Sequence, residues 1–352
     1  MKKDSEKFLS ELLNTPSPSG FEQAAARVFR ERLKGHADEI TRDVHGNTLA
    51  VLNPSAPFKF MLAGHIDEVG LMVTHIDKDG FLYVASIGGL DPSILVGQRV
   101  KIMTARGEVG GVIGRKPIHL LKPEERKKAL EIENLWVDIG ARDKQDARKA
   151  VSVGDVMVID VCYRRLRGDR IISRACDDKT GAYVVAEVIR ALAGKKLNIS
   201  VIGVATVQEE VGLRGAITSS YRVSPRAGIA IDVGFASDYP EADPKRLGEV
   251  KLGGGPVLHR GPNINPPLAE ALGKTARARK IPFQLTAEPR GTGTDANVMQ
   301  LSREGVATAL ISIPNRYMHS PVEMVSLSDL ERTIKLLTEF LLRHPADRDY
   351  RP

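Results

Sequence analysis

Short continuous apolar runs, each closed by a polar cluster, recur along this chain. Residues 48–52 and 59–63 read as strands, and Phe60-Met61-Leu62-Ala63 is apolar at every position, as a strand buried on both faces requires. Residues 199–207, 228–233 and 307–313 repeat that texture. Between them the spacing is helical. The first helix expected covers 22–34, after the turn-rich Thr15-Pro16-Ser17-Pro18-Ser19-Gly20, and others are expected at 180–192, 268–280, 295–303 and 328–342. Ser328, with Glu331 three positions on, has the form of a capping box. Strands alternating with helices predict an open, largely parallel sheet covered on both faces. From 69 to 161 the pattern changes. Short β-like runs at 71–76, 81–87, 99–103, 108–113, 135–139 and 156–159 are separated by turns such as Lys78-Asp79-Gly80 and Ala105-Arg106-Gly107. One charged stretch, 123–130, reads as either helix or loop. The expected organisation is an α/β domain in two pieces, 1–68 and 162–352, with an all-β module inserted at 69–161.

The polar clusters carry the chemistry. His65 and Asp67 follow the strand ending at Ala63; Glu209 and Glu210 follow the one ending at Val207; Asp232 ends the one beginning at Gly228; His319 lies a few residues beyond Ile313. Ala175-Cys176-Asp177-Asp178-Lys179 opens a helical stretch. In open α/β sheets ligands bind beyond the carboxyl ends of strands, so neighbouring strands would bring these groups to one edge. Two histidines and several carboxylates without a cysteine cluster suit a hydrolytic metal centre rather than a thiolate-rich structural zinc site. Two divalent ions are balanced in charge by three carboxylates and one bridging hydroxide. Asp177, Glu210 and Asp232 can supply the carboxylates, and His65 and His319 give each ion one imidazole. Glu209 is then left uncommitted, as a general base must be, and Asp67 is left to orient His65 through its second ring nitrogen. Plainer readings stand beside these. Asp177 and Asp178 also suit a helix N-cap, Asp232 an arginine partner, and Glu209-Glu210 a solvated loop. Cys176 reads as a small packing residue. His36, His45, His75, His119, His259 and His344 lack the same setting, although the loops of His119 and His259 could reach a cleft. Gly291-Thr292-Gly293-Thr294-Asp295 lacks the lysine of a phosphate loop and reads as a pocket wall opening a helix.

Composition narrows the classes. The 352 residues are 42% hydrophobic and 27% charged, ordinary for a globular enzyme of one or two domains. No apolar run approaches the roughly 20 residues that span a bilayer, and the charged Met1–Lys7 start has no signal-peptide core, so a cytoplasmic protein with no membrane partner is expected. The net charge of +7 is spread among acids, as in Lys122-Pro123-Glu124-Glu125-Arg126, with few aromatics, so no nucleic-acid partner is expected. Two cysteines, Cys162 and Cys176, imply no disulfide framework.

His65-Ile66-Asp67-Glu68-Val69-Gly70, Asp177-Asp178-Lys179-Thr180-Gly181, Gln208-Glu209-Glu210-Val211-Gly212, Ile231-Asp232 and Arg316-Tyr317-Met318-His319-Ser320-Pro321 together resemble the di-metal aminopeptidases that assemble as tetrahedral dodecamers. That family includes glutamyl and deblocking aminopeptidases and proteins called cellulase M. The resemblance spans nearly the whole chain. It implies a three-layer α/β/α exopeptidase-like catalytic domain with an inserted β-rich dimerisation domain, and dimers that build a dodecamer. It implies two divalent ions per subunit, zinc or cobalt foremost and manganese also suited. In the family the residue matching Asp177 bridges both metals; those matching His65 and Asp232 complete one site, and those matching Glu210 and His319 the other. The residue matching Glu209 is the base, and the one matching Asp67 stands behind the ligands. One departure is Asn297, where similar proteins often carry glycine after the Asp-Ala pair.

The expected activity is removal of the N-terminal residue from peptides by a two-metal-activated water, with Glu209 taking its proton. The alternatives are another di-metal amide hydrolase (a carboxypeptidase or deacylase), a glycosidase acting as an endoglucanase, and a non-catalytic metal-binding scaffold. A glycosidase needs two carboxyl groups facing each other across a sugar, which adjacent Glu209 and Glu210 are poorly placed to provide.

Overall fold

The computed structural model describes residues 1–352, the side chain of Glu125 excepted. Its strands are β1 (Glu39–Arg42), β2 (Thr48–Leu52), β3 (Lys59–His65), β4 (Gly70–Ile76), β5 (Leu82–Ile87), β6 (Arg99–Thr104), β7 (Gly107–Gly114), β8 (Trp136–Asp138) and β9 (Val156–Ile159). There follow β10 (Arg164–Arg165), β11 (Arg170–Ser173), β12 (Ser200–Thr206), β13 (Ala227–Phe235), β14 (Val257–Arg260), β15 (Gln284–Ala287), β16 (Ala307–Asn315) and β17 (Glu323–Ser326). Eight of them form one sheet in the order β1-β2-β12-β3-β13-β16-β14-β15. The four central strands, β12, β3, β13 and β16, are parallel and buried along almost their whole length. The sheet is mixed outside that centre. β2 joins β12, and β14 joins β16, antiparallel, which the apolar runs alone did not reveal because those flanking strands are short.

Helices cover both faces. On β3, Gly64 faces the Cys176–Leu192 helix, while Met61, on the opposite side of the pleat, meets Ser220 of the Arg214–Val223 helix (Oγ to Sδ, 3.8 Å). The Gly64 contact fixes the site. A Cβ at Gly64 would lie 2.5 Å from the backbone of Gly181, and one at Gly181 would meet the Asp178 carboxylate at 2.2 Å. Two glycines therefore let the helix start lie directly on the end of β3.

Strands β4 to β9 close into a separate barrel, ordered β4-β5-β8-β7-β6-β9. Its core is its own, built around Leu71, Val73, Leu82, Val100, Ile102, Val137 and Met157. Every β-like run expected from 69 to 161 is one of these strands, to within a residue or two. Within the charged stretch Pro123–Arg126 forms a single helical turn.

Three expectations need correction. The first helix is Lys3–Asn14, preceding Gln23–Leu33. Its charged residues face outward, but Phe8, Leu9, Leu12 and Leu13 form the apolar stripe that buries it. The expected 295–303 helix is one turn, Ala296–Met299. The Ser328–Glu331 capping box does not form: Ser326 is the N-cap, the Ser328 amide donates to Asp169 Oδ2 at 3.2 Å, and Glu331 pairs with the Met1 amino group at 2.7 Å. Among the described residues no helix is long and apolar enough to cross a membrane.

Candidate metal centre

Asp177 is the hub. Its Oδ1 lies 3.0 Å from His65 Nε2 and its Oδ2 lies 3.3 Å from His319 Nε2. One carboxylate thus faces two imidazoles delivered by β3 and by the loop after β16. On the His65 side, Asp232 Oδ1 is 3.9 Å from Nε2 and Glu209 Oε2 is 3.8 Å away. On the His319 side, Glu210 Oε2 is 3.4 Å from Nε2. All seven residues singled out in the sequence, His65, Asp67, Asp177, Glu209, Glu210, Asp232 and His319, therefore meet at one sheet edge. Asp232 sits inside β13, which runs on to Phe235, rather than at its end.

Asp67 is fully buried and does more than face a histidine. Its Oδ1 is 3.5 Å from His65 Nδ1, which also meets the Asp67 carbonyl at 3.2 Å. The same carboxylate accepts the amides of Glu209 (3.0 Å) and Glu210 (3.2 Å) and the Ser19 hydroxyl (2.6 Å). It fixes the loop that carries both glutamates. The Asp177–Asp178 peptide is cis, and both residues lie outside helical φ/ψ. Asp178 Oδ1 accepts the Gly181 amide at 2.9 Å, the capping role its position suggested, and Oδ2 accepts the His65 amide at 3.2 Å.

Three residues at the site had no role assigned from the sequence, although Glu68 lies in the His65 motif and Asp295 in the segment read as a pocket wall. Glu323, buried on β17, accepts the Asp177 amide on Oε2 (2.9 Å) and the His319 amide on Oε1 (2.8 Å). Asp295 accepts the Thr206 hydroxyl at 2.6 Å and is buried beside the cluster. Glu68, also buried, joins Arg174 (3.0 Å) and the fully buried Lys179 (2.6 Å) beneath it. An acid opening a short, partly apolar strand, Glu323-Met324-Val325-Ser326, is the one signal that was available for Glu323. Cys176 points its thiol at the carbonyls of Ser173 and Glu323, a packing position.

The electrostatics state what the pocket lacks. Burial, reinforced by Asp232 and Asp295, raises Glu209 to about 10 despite His65. Burial and Asp177 raise Glu210 to about 7, and burial raises Asp295 to about 6. Asp178 and Asp232 are raised by burial and by neighbouring carboxylates. Hydrogen bonding to Asp177 lifts His319 to about 9. For His65, burial opposes protonation, but Glu209, Asp177 and Asp67 outweigh it and hold it well up. Asp177, although buried, is held down by its two imidazoles. Too many carboxylates share one dry pocket for two imidazoles to neutralise, and Glu210 Oε1 is buried without a partner. That donor set fits divalent cations. His65, Asp177 and Glu210 present ligand atoms within 4.8 Å of one another, as do His65, Asp178 and Asp232. Asp178 already receives two backbone amides, which leaves Asp177 the better-placed donor beside Asp232.

A cleft of about 710 Å³ opens over the cluster, walled by Phe235, the 244–248 turn, Thr286–Pro289, Thr292–Thr294 and Met318. Its floor holds His259, hydrogen-bonded to Ser312 (2.9 Å) and Thr286 (3.0 Å).

With this geometry the comparisons agree. Residues 46–336 match the model of the M42 glutamyl aminopeptidase family. The chain is 40% identical to the lysyl aminopeptidase of Pyrococcus furiosus, over 98% of this chain and 99% of that one. The TET aminopeptidase structure from a marine-sediment Thaumarchaeota archaeon superposes with a TM-score of 0.93 at 36% identity, covering 97% of each chain. The Pyrococcus horikoshii TET1 peptidase, which can assemble into a tetrahedron or a large octahedral shell, gives 0.87 at 30%, covering 97% of this chain and 100% of that one. The chain belongs to the M42 glutamyl aminopeptidase family.

Proposed function

We propose that this aminopeptidase works through a pair of divalent cations shared across Asp177. His65 and Asp232 would hold one ion beside Oδ1, and Glu210 and His319 the other beside Oδ2. When bound, such ions acidify water and polarise a carbonyl as Lewis acids. Glu209, whose carboxylate lies at the His65 side without a committed partner, takes the proton of the attacking water and returns it to the leaving amine. Asp67 holds Glu209 and Glu210 in register through their amides. The single observation that supports this reading is Asp177 placed between two imidazoles with one oxygen toward each. Zinc, cobalt and manganese all suit imidazole and carboxylate donors.

The family name and the relative's name point to opposite side-chain charges, so neither sets the preferred residue here. The structure's similarity to a shell-forming peptidase supports a homo-oligomer, with dimers building a tetrahedral dodecamer. The barrel segment, 69–161 between the two parts of the catalytic unit, exposes Val112, Ile118 and Leu120 and would serve as its dimerisation module.

The test is a panel of aminoacyl chromogenic peptides on metal-free protein with each ion added back. Free-amine peptides are cleaved only after an ion is restored, and N-acetylated counterparts are not. Equal cleavage of the acetylated peptides would make the protein a deacylase or endo-acting hydrolase instead.

A further inference from the structure

A second cavity, of about 580 Å³, lies behind the loop that carries Glu209 and Glu210, and the peptidase chemistry does not use it. It is lined by Glu22, Arg30, Arg42, Asp43, His45 and Gln208, among others. Its acids are already engaged. Asp43 Oδ1 accepts the amides of Gly46 and Asn47, both at 2.9 Å, and its Oδ2 accepts the Asn47 side chain at 2.6 Å. Glu22 turns Oε1 to the amides of Gly20 (2.6 Å) and Gln208 (3.2 Å). The cations are not engaged in that way. Among the described residues neither Arg30 nor Arg42 forms an ion pair within 4.0 Å, and His45 Nε2 is sheltered without any partner. Outside the cavity lining, a third arginine braces the strand that carries Arg42. Arg222 donates to the Arg42 carbonyl (2.9 Å) and to the Thr41 hydroxyl (3.3 Å). Burial, then the charges of Arg42 and Arg27, makes Arg30 easier to deprotonate than usual. Hydrogen bonding does not remove the charge of the acids here but turns it to backbone and side-chain amides rather than to the guanidiniums, so among the described residues the N–H donors of Arg30 and Arg42 face the concavity without a carboxylate partner.

We propose that this cavity is a binding site for a small molecule bearing a phosphate or carboxylate group, held by Arg30 and Arg42 with His45 at its side. Two guanidiniums suit such a group because each presents paired N–H donors that match a planar or tetrahedral oxyanion. The site is separate from the metal centre. One wall is Val207-Gln208, so the ligand would lie against the backbone immediately preceding Glu209.

The experiment is calorimetric titration of the metal-loaded protein with inorganic phosphate and, in a parallel arm, with succinate. Wild-type protein and an Arg30→Gln/Arg42→Gln double variant are compared at low salt. The expected result is saturable binding of at least one anion, weakened about tenfold or more in the double variant, with peptide turnover in anion-free buffer unchanged. The arm that binds more tightly names the headgroup. If the double variant folds poorly, Arg42→Gln alone, at an exposed position, carries the same comparison. Absence of binding in both arms overturns the proposal. So does binding of equal strength in wild type and variant, which would place the anion at the metal centre instead.

Discussion

Among the described residues, no polar or charged side chain between 69 and 172 is buried, whereas the ends of β3, β12 and β13 and the adjoining helix start bury His65, Asp67, Asp177, Asp178, Glu209 and Asp232 in one cluster. The barrel and the sheet edge are opposite solutions to the same solvent. The barrel closes its strands on apolar side chains and leaves its charges in water, so nothing about it needs a ligand. The sheet edge collects carboxylates whose protonation is forced upward by burial and by one another. That arrangement opposes folding unless something positive shares the pocket. Buried charge that the protein's own cations do not balance is therefore what separates the functional part of this molecule from its scaffold.

The contrast is broken most severely at Glu209. Glu209→Gln should keep the fold and bound metal yet lower kcat by about 100- to 10,000-fold, the usual worth of a positioned proton-transfer group. Steady-state kinetics with metal analysis checks both halves. Near-normal turnover would remove Glu209 from that role. Next is Asp67→Asn, which disturbs three amide or hydroxyl bonds and the His65 contact. A loss of roughly 10- to 100-fold in metal affinity or activity is expected, as for partners standing behind metal ligands. An unchanged metal titration curve would contradict it.

In the barrel the same measurements should split the other way. Leu82→Ala, at a fully buried barrel position, should cost about 2–5 kcal/mol of stability. The kcat of the folded fraction should be unaltered. A large fall in kcat at full folding would show that the two regions are coupled. The smallest effect concerns His259, the polar residue on the cleft floor. Burial pushes its pKa down to about 4. An unfolded histidine titrates near 6.5, so the unfolded chain takes the proton first and acid favours unfolding. The contribution is fully present above about pH 6.5 and is lost as the pH falls toward 4, by about 3 kcal/mol at most. Thermal unfolding of His259→Gln should therefore decline less steeply over that window than wild type, and parallel curves would contradict the assignment.

What could be read from the sequence follows the same division. The parallel centre of the sheet was legible because strands buried on both faces are apolar throughout, as Phe60-Met61-Leu62-Ala63 shows. The barrel strands were legible from their turns. The outer strands β1, β14 and β15 were not: each has only four residues, β1 and β15 are half-exposed while β14 buries a histidine in place of an apolar residue, and tertiary pairing defines them. The clustered histidines and acids were legible because a histidine or paired acids directly after a buried apolar strand are costly to desolvate unless a cation joins them. Glu323 and Asp295 were not, since Asp295 accepts a hydroxyl 89 residues away and Glu323 joins the nearby His319 amide to that of Asp177, 146 residues away. The Ser328–Glu331 motif shows the reverse error. A correct local pattern lost to tertiary partners, Asp169 and the Met1 amino group.

The most direct test of the central claim is to count metal in wild-type and Asp177→Asn protein by elemental analysis after equilibrium with graded zinc. Two ions per chain are expected in the wild type, with affinity at both positions falling together when Asp177 is neutralised. A wild type that binds none, or a variant that holds two ions as tightly as before, would contradict a centre built on a shared aspartate.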